Sequence, residues 1–290
     1  MPFVKCPIML AFILFLAVVS SSPRFSFGQR SIGESSKEPI VRLETPDSTM
    51  ATGFIINDPL TRVYLITNKH VIRSTKTNDY YDDIRIRNNV VSANGKITAT
   101  EEKSKLYLKL KGKRLFLEHE DPGIDLVIIQ LGNIRIDSNL VIQNPVGHFP
   151  ALAFNIDNFV TRSIMDSLNI RDGTQIEIVG FSFEVAQKAQ FQISRFGHIA
   201  LFPREKMTLN WLVPNTQPGI YQPITTEWMV IDVTSRPGDS GAPVFAVLPY
   251  SRQGWIVGIV EGGSDLNEFC LAQPSYYITD LVDAANRYWK

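Results

Sequence analysis

The stretch VTSRPGDSGAPVFAVL, Val233 to Leu248, sets Ser240 inside a Gly-Asp-Ser-Gly turn and runs from there into an apolar strand. Each turn residue has a local backbone reason to be there, so the stretch alone is a well-made turn before a strand. A serine hydroxyl is a poor nucleophile at neutral pH. Ser240 acquires chemistry only if the chain also supplies a base, a group to orient that base, and a fold that joins the three.

Outward from this turn, short apolar runs recur with Gly, Pro, Asn and Asp between them. ATGFIIND (51–58), VYLITNKHVI (63–72), DLVIIQL (125–131), TQIEIVGF (174–181), EWMVIDVT (227–234) and GWIVGIVEGG (254–263) all carry the β-branched and aromatic content of strands. The pattern predicts an all-β architecture of sandwich or barrel type. A polar, proline-containing segment, Gln143 to Val160, divides the strands into two groups, about 38–150 and about 160–275. The basic run KSKLYLKLKGKR (103–114) alternates apolar and polar residues and reads as one strand with a wet face. The C-terminus alone has a helical period: Thr279 or Asp280 as cap, then Leu281, Val282, Ala285, Tyr288 and Trp289 on one face, a helix over 279–289.

The 290 residues carry 29 basic and 29 acidic side chains, so net charge gives no reason to expect a nucleic acid or anionic membrane partner. Lys5, a twelve-residue apolar run from Ile8 to Val19, and the small residues Ser20 to Ser22 have the form of a secretory signal peptide over 1–28, cleaved after Ser21 or Gly28. The run is short of the ~20 residues of a membrane span, and an uncleaved anchor is the alternative reading. The expected mature chain, 29–290, is therefore secreted or periplasmic, with no stable span once the signal is removed. Cys6 lies in the signal, which leaves Cys270 alone and no intramolecular disulfide. That, and the lack of any Asn-x-Ser/Thr acceptor, leans toward a bacterial envelope.

Four histidines can serve as base: His70, His119, His148 and His198. His70 closes the apolar run YLITNKHVI, where a side chain can project from a strand end into a cleft. His119 lies in the acidic loop EHEDPG, His148 in the junction, and His198 in the RFGHIAL strand pair. Position favours His70, whose unperturbed pKa suits general-base work. Asp125 enters the strand DLVIIQL, where a carboxylate is costly unless partnered. Orienting a histidine is one reason for it, capping a turn another. Asp121, which precedes Pro122, is its competitor. No P-loop, dinucleotide fingerprint or His-Glu-x-x-His occurs, so no cofactor or metal is expected.

LITNKHVI, DLVIIQL and RPGDSGAPVF, in that order, resemble the three catalytic blocks of chymotrypsin-like serine proteases, in particular the disulfide-poor bacterial trypsin-like and HtrA-like branch. DGTQIEIVGFSF (172–183) resembles the strand that opens the family's second barrel, FGHIAL (196–201) its following hairpin, and the last helix the family's terminal helix. The resemblance implies two six-stranded antiparallel β-barrels with a C-terminal helix. It implies a peptide or protein substrate cleaved through an acyl-enzyme, with Ser240 as nucleophile, His70 as base and Asp125 holding His70. The oxyanion hole would be the N–H groups of Gly238 and Ser240. Thr234, six residues before the nucleophile, would line the primary pocket, and Val260, Glu261 and Gly262 would lie along the substrate backbone. Glu261 stands where the family often has an aromatic, and Lys69 where a small residue is common. RSIGES at Arg30 only faintly echoes the start of a proteolytically activated chain, so activation by cleavage is not expected and Asp239 is left without a named partner. The rival reading is a protease-like domain that binds proteins without cutting them. Oligomeric state is open.

Overall fold

In the computed structural model the described residues run from 37 to 289, apart from 60–61, 75, 88, 92–96, 100–103, 134–152, 183–190, 203, 213–220, 250–253 and 264–268. The expected signal segment, His148 and most of the expected junction lie outside them. In the first half, β1 (Ile40–Glu44), β2 (Met50–Asn57), β3 (Arg62–Thr67), β4 (Asp83–Arg87), β5 (Ser104–Tyr107), β6 (Phe116–Glu118) and β7 (Val127–Asn133) form one antiparallel sheet in the order β6-β7-β3-β2-β1-β4-β5. A short β8 (Phe154–Asn155) joins β2 in parallel. The sheet curls round Leu43, Ile55, Leu65, Ile86, Leu106 and Ile129, a half-barrel with its own core.

The second half contains β9 (Gln175–Gly180), β10 (Ile193–Leu201), a hairpin of β11 (Met207–Leu212) and β12 (Tyr221–Thr226), then β13 (Met229–Ile231), β14 (Pro243–Ala246), β15 (Trp255–Gly263) and β16 (Cys270–Pro274). Without the hairpin these close into a barrel, β9-β10-β13-β16-β15-β14 and back to β9. The all-β expectation with paired barrels holds, the second closed and the first a half-barrel.

Why the strands read as apolar runs and not as strict alternation follows from where their two faces point. Along β1 to β3 and β7, Val41, Ile55, Leu65 and Val127 enter the half-barrel core, while their neighbours Ile40, Phe54, Ile66 and Ile128 enter the larger core with Ile178, Phe181, Val244 and Ile256 of the closed barrel. A strand covered on both sides has no polar face to show. Each fully buried Leu or Ile side chain stabilises the fold by roughly 1.5–3 kcal/mol relative to an exposed one.

Several local readings change. KSKLYLKLKGKR is not one strand: after β5 the chain folds back at Lys111 and Gly112, both at positive φ (48° and 77°), so that Lys109–Leu110 pairs with Lys113–Arg114. Ile193 to Leu201 is one continuous strand where a strand pair was expected. The β11–β12 hairpin and a short helix, α1 (Arg162–Ser167, capped by the Thr161 hydroxyl), were not expected. The terminal helix, α2 (Tyr276–Tyr288), begins three residues before the expected cap. Thr279 Oγ1 donates to the Tyr276 carbonyl at 2.7 Å inside the helix. The early start is fixed by Tyr276 and Tyr277, whose hydroxyls both donate to the buried Glu227.

The far end of α2 is tied to the first half. Asn286 Oδ1 accepts from Tyr64 Oη at 3.0 Å and from Arg62 Nη1 at 3.2 Å, and the Trp289 ring stacks on Tyr64. Losing these bonds in Asn286→Ala costs about 1 kcal/mol. The expected fall in Tm is about 2–4 °C by calorimetry, against no measurable change for Asp283→Ala on the exposed face of the same helix.

Candidate active site

The chain leaves β3 at Thr67 and turns through a single 3-10 turn, Lys69–Ile72. Because β7 runs antiparallel to β3, with Val127 opposite Thr67, the residues just before β7 meet those just after β3. Asp125 is gripped there from three sides. Its carbonyl accepts from Asn68 Nδ2 at 2.9 Å and Lys69 N at 3.3 Å, its Oδ1 from His70 N at 3.1 Å, and its Oδ2 lies 2.5 Å from His70 Nδ1. A carboxylate at Nδ1 fixes the tautomer with the proton on that nitrogen and leaves Nε2 free to accept.

The other candidates are occupied elsewhere. His119 Nδ1 accepts from Asp121 N at 3.1 Å, its ring meets Tyr277 edge-on, and burial pushes its pKa below the ordinary value. His198 sits exposed on β10. Asp121 closes its own turn, Oδ1 accepting from Gly123 N at 2.9 Å and Oδ2 pairing with Lys206 at 3.0 Å. Lys69, a charge beside the base in the sequence, folds under the 119–123 loop. Its Nζ donates to the carbonyls of His119 (3.0 Å) and Asp121 (3.4 Å), and burial lowers its pKa.

The Ser240 turn is held against this half by one buried residue of β2. Thr52 N donates to the Ser240 carbonyl at 2.8 Å, Thr52 Oγ1 donates to the Gly238 carbonyl at 2.7 Å and accepts from Phe181 N at 2.9 Å, and the Thr52 carbonyl accepts from Thr67 Oγ1 at 2.9 Å. Thr67 is three residues before His70, so the serine turn and the histidine turn share a single support. The approach needs Gly241: a Cβ there would lie 1.9 Å from the Thr52 carbonyl oxygen, and its φ of +85° already disfavours any other residue. Gly238 also has positive φ, 99°. Within the turn Asp239 N donates to the Arg236 carbonyl and Gly241 N to the Val260 carbonyl. The N–H groups of Gly238 and Ser240 have no acceptor among the described residues. Ser240 Oγ donates to the Glu261 carbonyl at 3.0 Å and makes no hydrogen bond to His70.

Asp239 has a partner after all. Arg195 of β10 reaches it with Nη2 2.5 Å from Oδ2, the Arg236 N–H donates to the same oxygen at 2.6 Å, and Arg195 Nη1 donates to the Thr234 carbonyl. Burial lifts the Asp239 carboxyl above the usual carboxylate value, and Arg195 limits the rise. Strand periodicity could not reveal this pair, because Arg195 is simply one polar position of β10.

The residues expected along the substrate divide. Thr234 is exposed and Gly262 is half-buried. Val260 is wholly buried, and its main-chain N–H and carbonyl are both engaged with the serine turn, at Ala242 O and Gly241 N. The Glu261 carboxyl is turned inward and only 3 % exposed, so it does not line a cleft. The cause is a β-bulge: Val260 pairs with Ala272 and Gly262 with Leu271, which leaves Glu261 as the extra residue.

A model of the trypsin-like peptidase domain matches residues 51–248, well over half the chain and a range that includes Thr52, His70, Asp125, Arg195 and Ser240. The chain belongs to the trypsin-like peptidase family. This peptidase is accordingly a serine endopeptidase, a hydrolase of protein or peptide substrates. Among solved structures, a serine-to-alanine variant of the Rv3671c protease from M. tuberculosis H37Rv, in its inactive form, is similar with a TM-score of 0.50 at 15% identity, over 88% of this chain and 94% of that one. A Glu endopeptidase in complex with MPD gives a TM-score of 0.49 at 14% identity, over 88% and 95%. The first likeness speaks for the fold alone. No curated protein sequence matches the peptidase.

Thr52→Val keeps the shape of the peptidase's shared support and removes its hydroxyl. Phe181 N is then left without an acceptor and Gly238 O without its donor, a cost of about 1–3 kcal/mol. The expected result is a lower Tm and a kcat reduced by about ten- to a hundredfold through misplacement of the turn, with Thr52→Ser restoring most of both, measured on a peptide ester substrate.

Proposed function

We propose that the protein is an exported serine endopeptidase acting through a Ser240–His70–Asp125 triad and an acyl-enzyme. The observation that carries this reading is the Asp125 grip on His70, 2.5 Å at Nδ1, on the same support, Thr52, that seats the Ser240 turn. Ser240 Oγ attacks the scissile carbonyl after swinging from the Glu261 carbonyl to His70 Nε2, which takes its proton and later returns it to the leaving amine. Asp125 stabilises the imidazolium formed between those steps. The unengaged N–H groups of Gly238 and Ser240 receive the oxyanion, each such donor contributing about 10²–10³ in rate. Thr234, exposed upstream of the turn and bound through its carbonyl to Arg195, lines the primary pocket; no acid stands at that position to favour a basic side chain.

The same reading assigns Arg195 to readiness. A half-buried cation beside Asp239 holds the serine turn without a newly cut N-terminus, so the enzyme is active as soon as it folds. Removing the arginine leaves a buried, unpaired carboxylate, a strongly destabilising change of about 3–5 kcal/mol. Arg195→Met should therefore lose both Tm and activity, and no proteolytic cut should restore them.

Export rests on Lys5 and the apolar run Ile8 to Val19, and sequencing the N-terminus of protein recovered outside the cytoplasm would locate the cleavage. Among the described residues no helix is long and apolar enough to cross a membrane. A non-catalytic binding role finds its one support in the Ser240 bond to Glu261 O in place of His70. Labelling by a fluorophosphonate separates the two readings: wild type should label, while Ser240→Ala and His70→Ala should not. Absence of label on wild type would falsify the enzymatic reading of this site.

A further inference from the structure

Glu261 differs from Asp239 and Glu227, two buried acids with cationic partners. Asp239 has Arg195, and Glu227 has Arg162 and two tyrosine hydroxyls. Among the described residues the Glu261 carboxyl meets only a neutral amide: Gln273 Nε2 donates to its Oε2 at 2.7 Å, and Gln273 is itself wholly buried, with its Oε1 unpartnered among those residues. Two charged groups act on it. The Asp125 carboxylate of the preceding loop repels a second negative charge, and the Lys69 ammonium of the 3-10 turn attracts one, but Lys69 Nζ is aimed at the carbonyls of His119 and Asp121 and not at Glu261. Glu118 and Asp121 face Lys69 in turn, and His70 lies beyond Asp125. A carboxylate here would be a buried charge without a counter-ion, placed behind another carboxylate. The same residue is the bulged position of β15, next to Val260, whose N–H donates to the Ala242 carbonyl and whose carbonyl accepts from Gly241 N in the serine turn.

We propose that Glu261 is a positioning residue of the active site: in its uncharged form it holds the bulge next to Val260, whose main chain carries the Ser240 turn, and its ionisation behind Asp125 opens that bulge and ends activity at high pH. The inference rests on the triad reading above. Burial, with the Asp125 charge added to it, pushes the Glu261 carboxyl well above the ordinary glutamate value. The sign follows from linkage. A group raised in the fold contributes stability that is complete below its unfolded value, about 4.3 for glutamate, and that is lost as pH rises through the folded value. Both the seating of Ser240 and the Tm should therefore decline together on the alkaline side.

The experiment is the pH profile of fluorophosphonate labelling rate and of Tm, each normalised to its own maximum, for wild type, Glu261→Gln and Gln273→Met. Glutamine keeps the size of the acid and cannot ionise. Methionine removes the one hydrogen bond that favours the carboxylate and leaves Glu261 itself in place. Both variants should move the alkaline fall upward by at least one pH unit, a tenfold difference in normalised rate on the falling side, and Tm should fall with rising pH less steeply in Glu261→Gln than in wild type. If wild type labels and neither variant shifts the alkaline limb, Glu261 has no such role. If wild type does not label at any pH, it is the triad reading that fails, and the Tm profiles still report whether Glu261 is the group that titrates. Should Glu261→Gln fail to fold, Gln273→Met decides alone by the same shift.

Discussion

The contact on which the site depends is the passage of the Gly241 backbone over the Thr52 carbonyl. Nothing larger than hydrogen fits there, and Thr52 spends every polar atom it has on holding the position: N–H to Ser240, hydroxyl to Gly238 and Phe181, carbonyl to Thr67. A loop from the closed barrel and a turn from the half-barrel thus become one rigid object. Their separation is set by hydrogen bonds of fixed length and not by the softer packing of side chains.

Around that object lies a second layer of polar groups, each buried and each answered differently. Asp239 is answered by a cation, Lys69 by carbonyls, and Glu261 by an amide that carries no charge. The three solutions have different consequences. An ion pair fixes a conformation over a wide pH range, carbonyl dipoles hold an ammonium without neutralising it, and a single amide donor gives a buried carboxylate no counter-charge. The site's response to pH is thereby assigned to the least well matched of the three.

Much of this was legible in the sequence, and the limits were physical. The order of the apolar runs and their turn residues led to the all-β fold and the family, because turns and strands are local. His70 and Asp125 could be singled out because each stands at the end of an apolar run. The two-faced burial of β1 to β3 was hidden, since it depends on a second barrel packing against the first. The Glu261 orientation was hidden for a different reason: strand alternation assumes an unbroken ladder, and a bulge adds one residue without leaving a mark in composition. The Arg195–Asp239 pair joins residues far apart in the chain through a side chain that looks like any solvent-facing strand position. The start of α2 was misplaced because Tyr276 and Tyr277 are recruited by Glu227, a tertiary demand that outweighs a good local cap at Thr279.

The clasp between Asn286 and the Arg62–Tyr64 segment of β3 joins residues 224 and 222 positions apart in the chain. Contacts of that sequence separation carry a high loop-closure cost in folding, so the strand that leads to His70 is covered on this side only once α2 has docked against it.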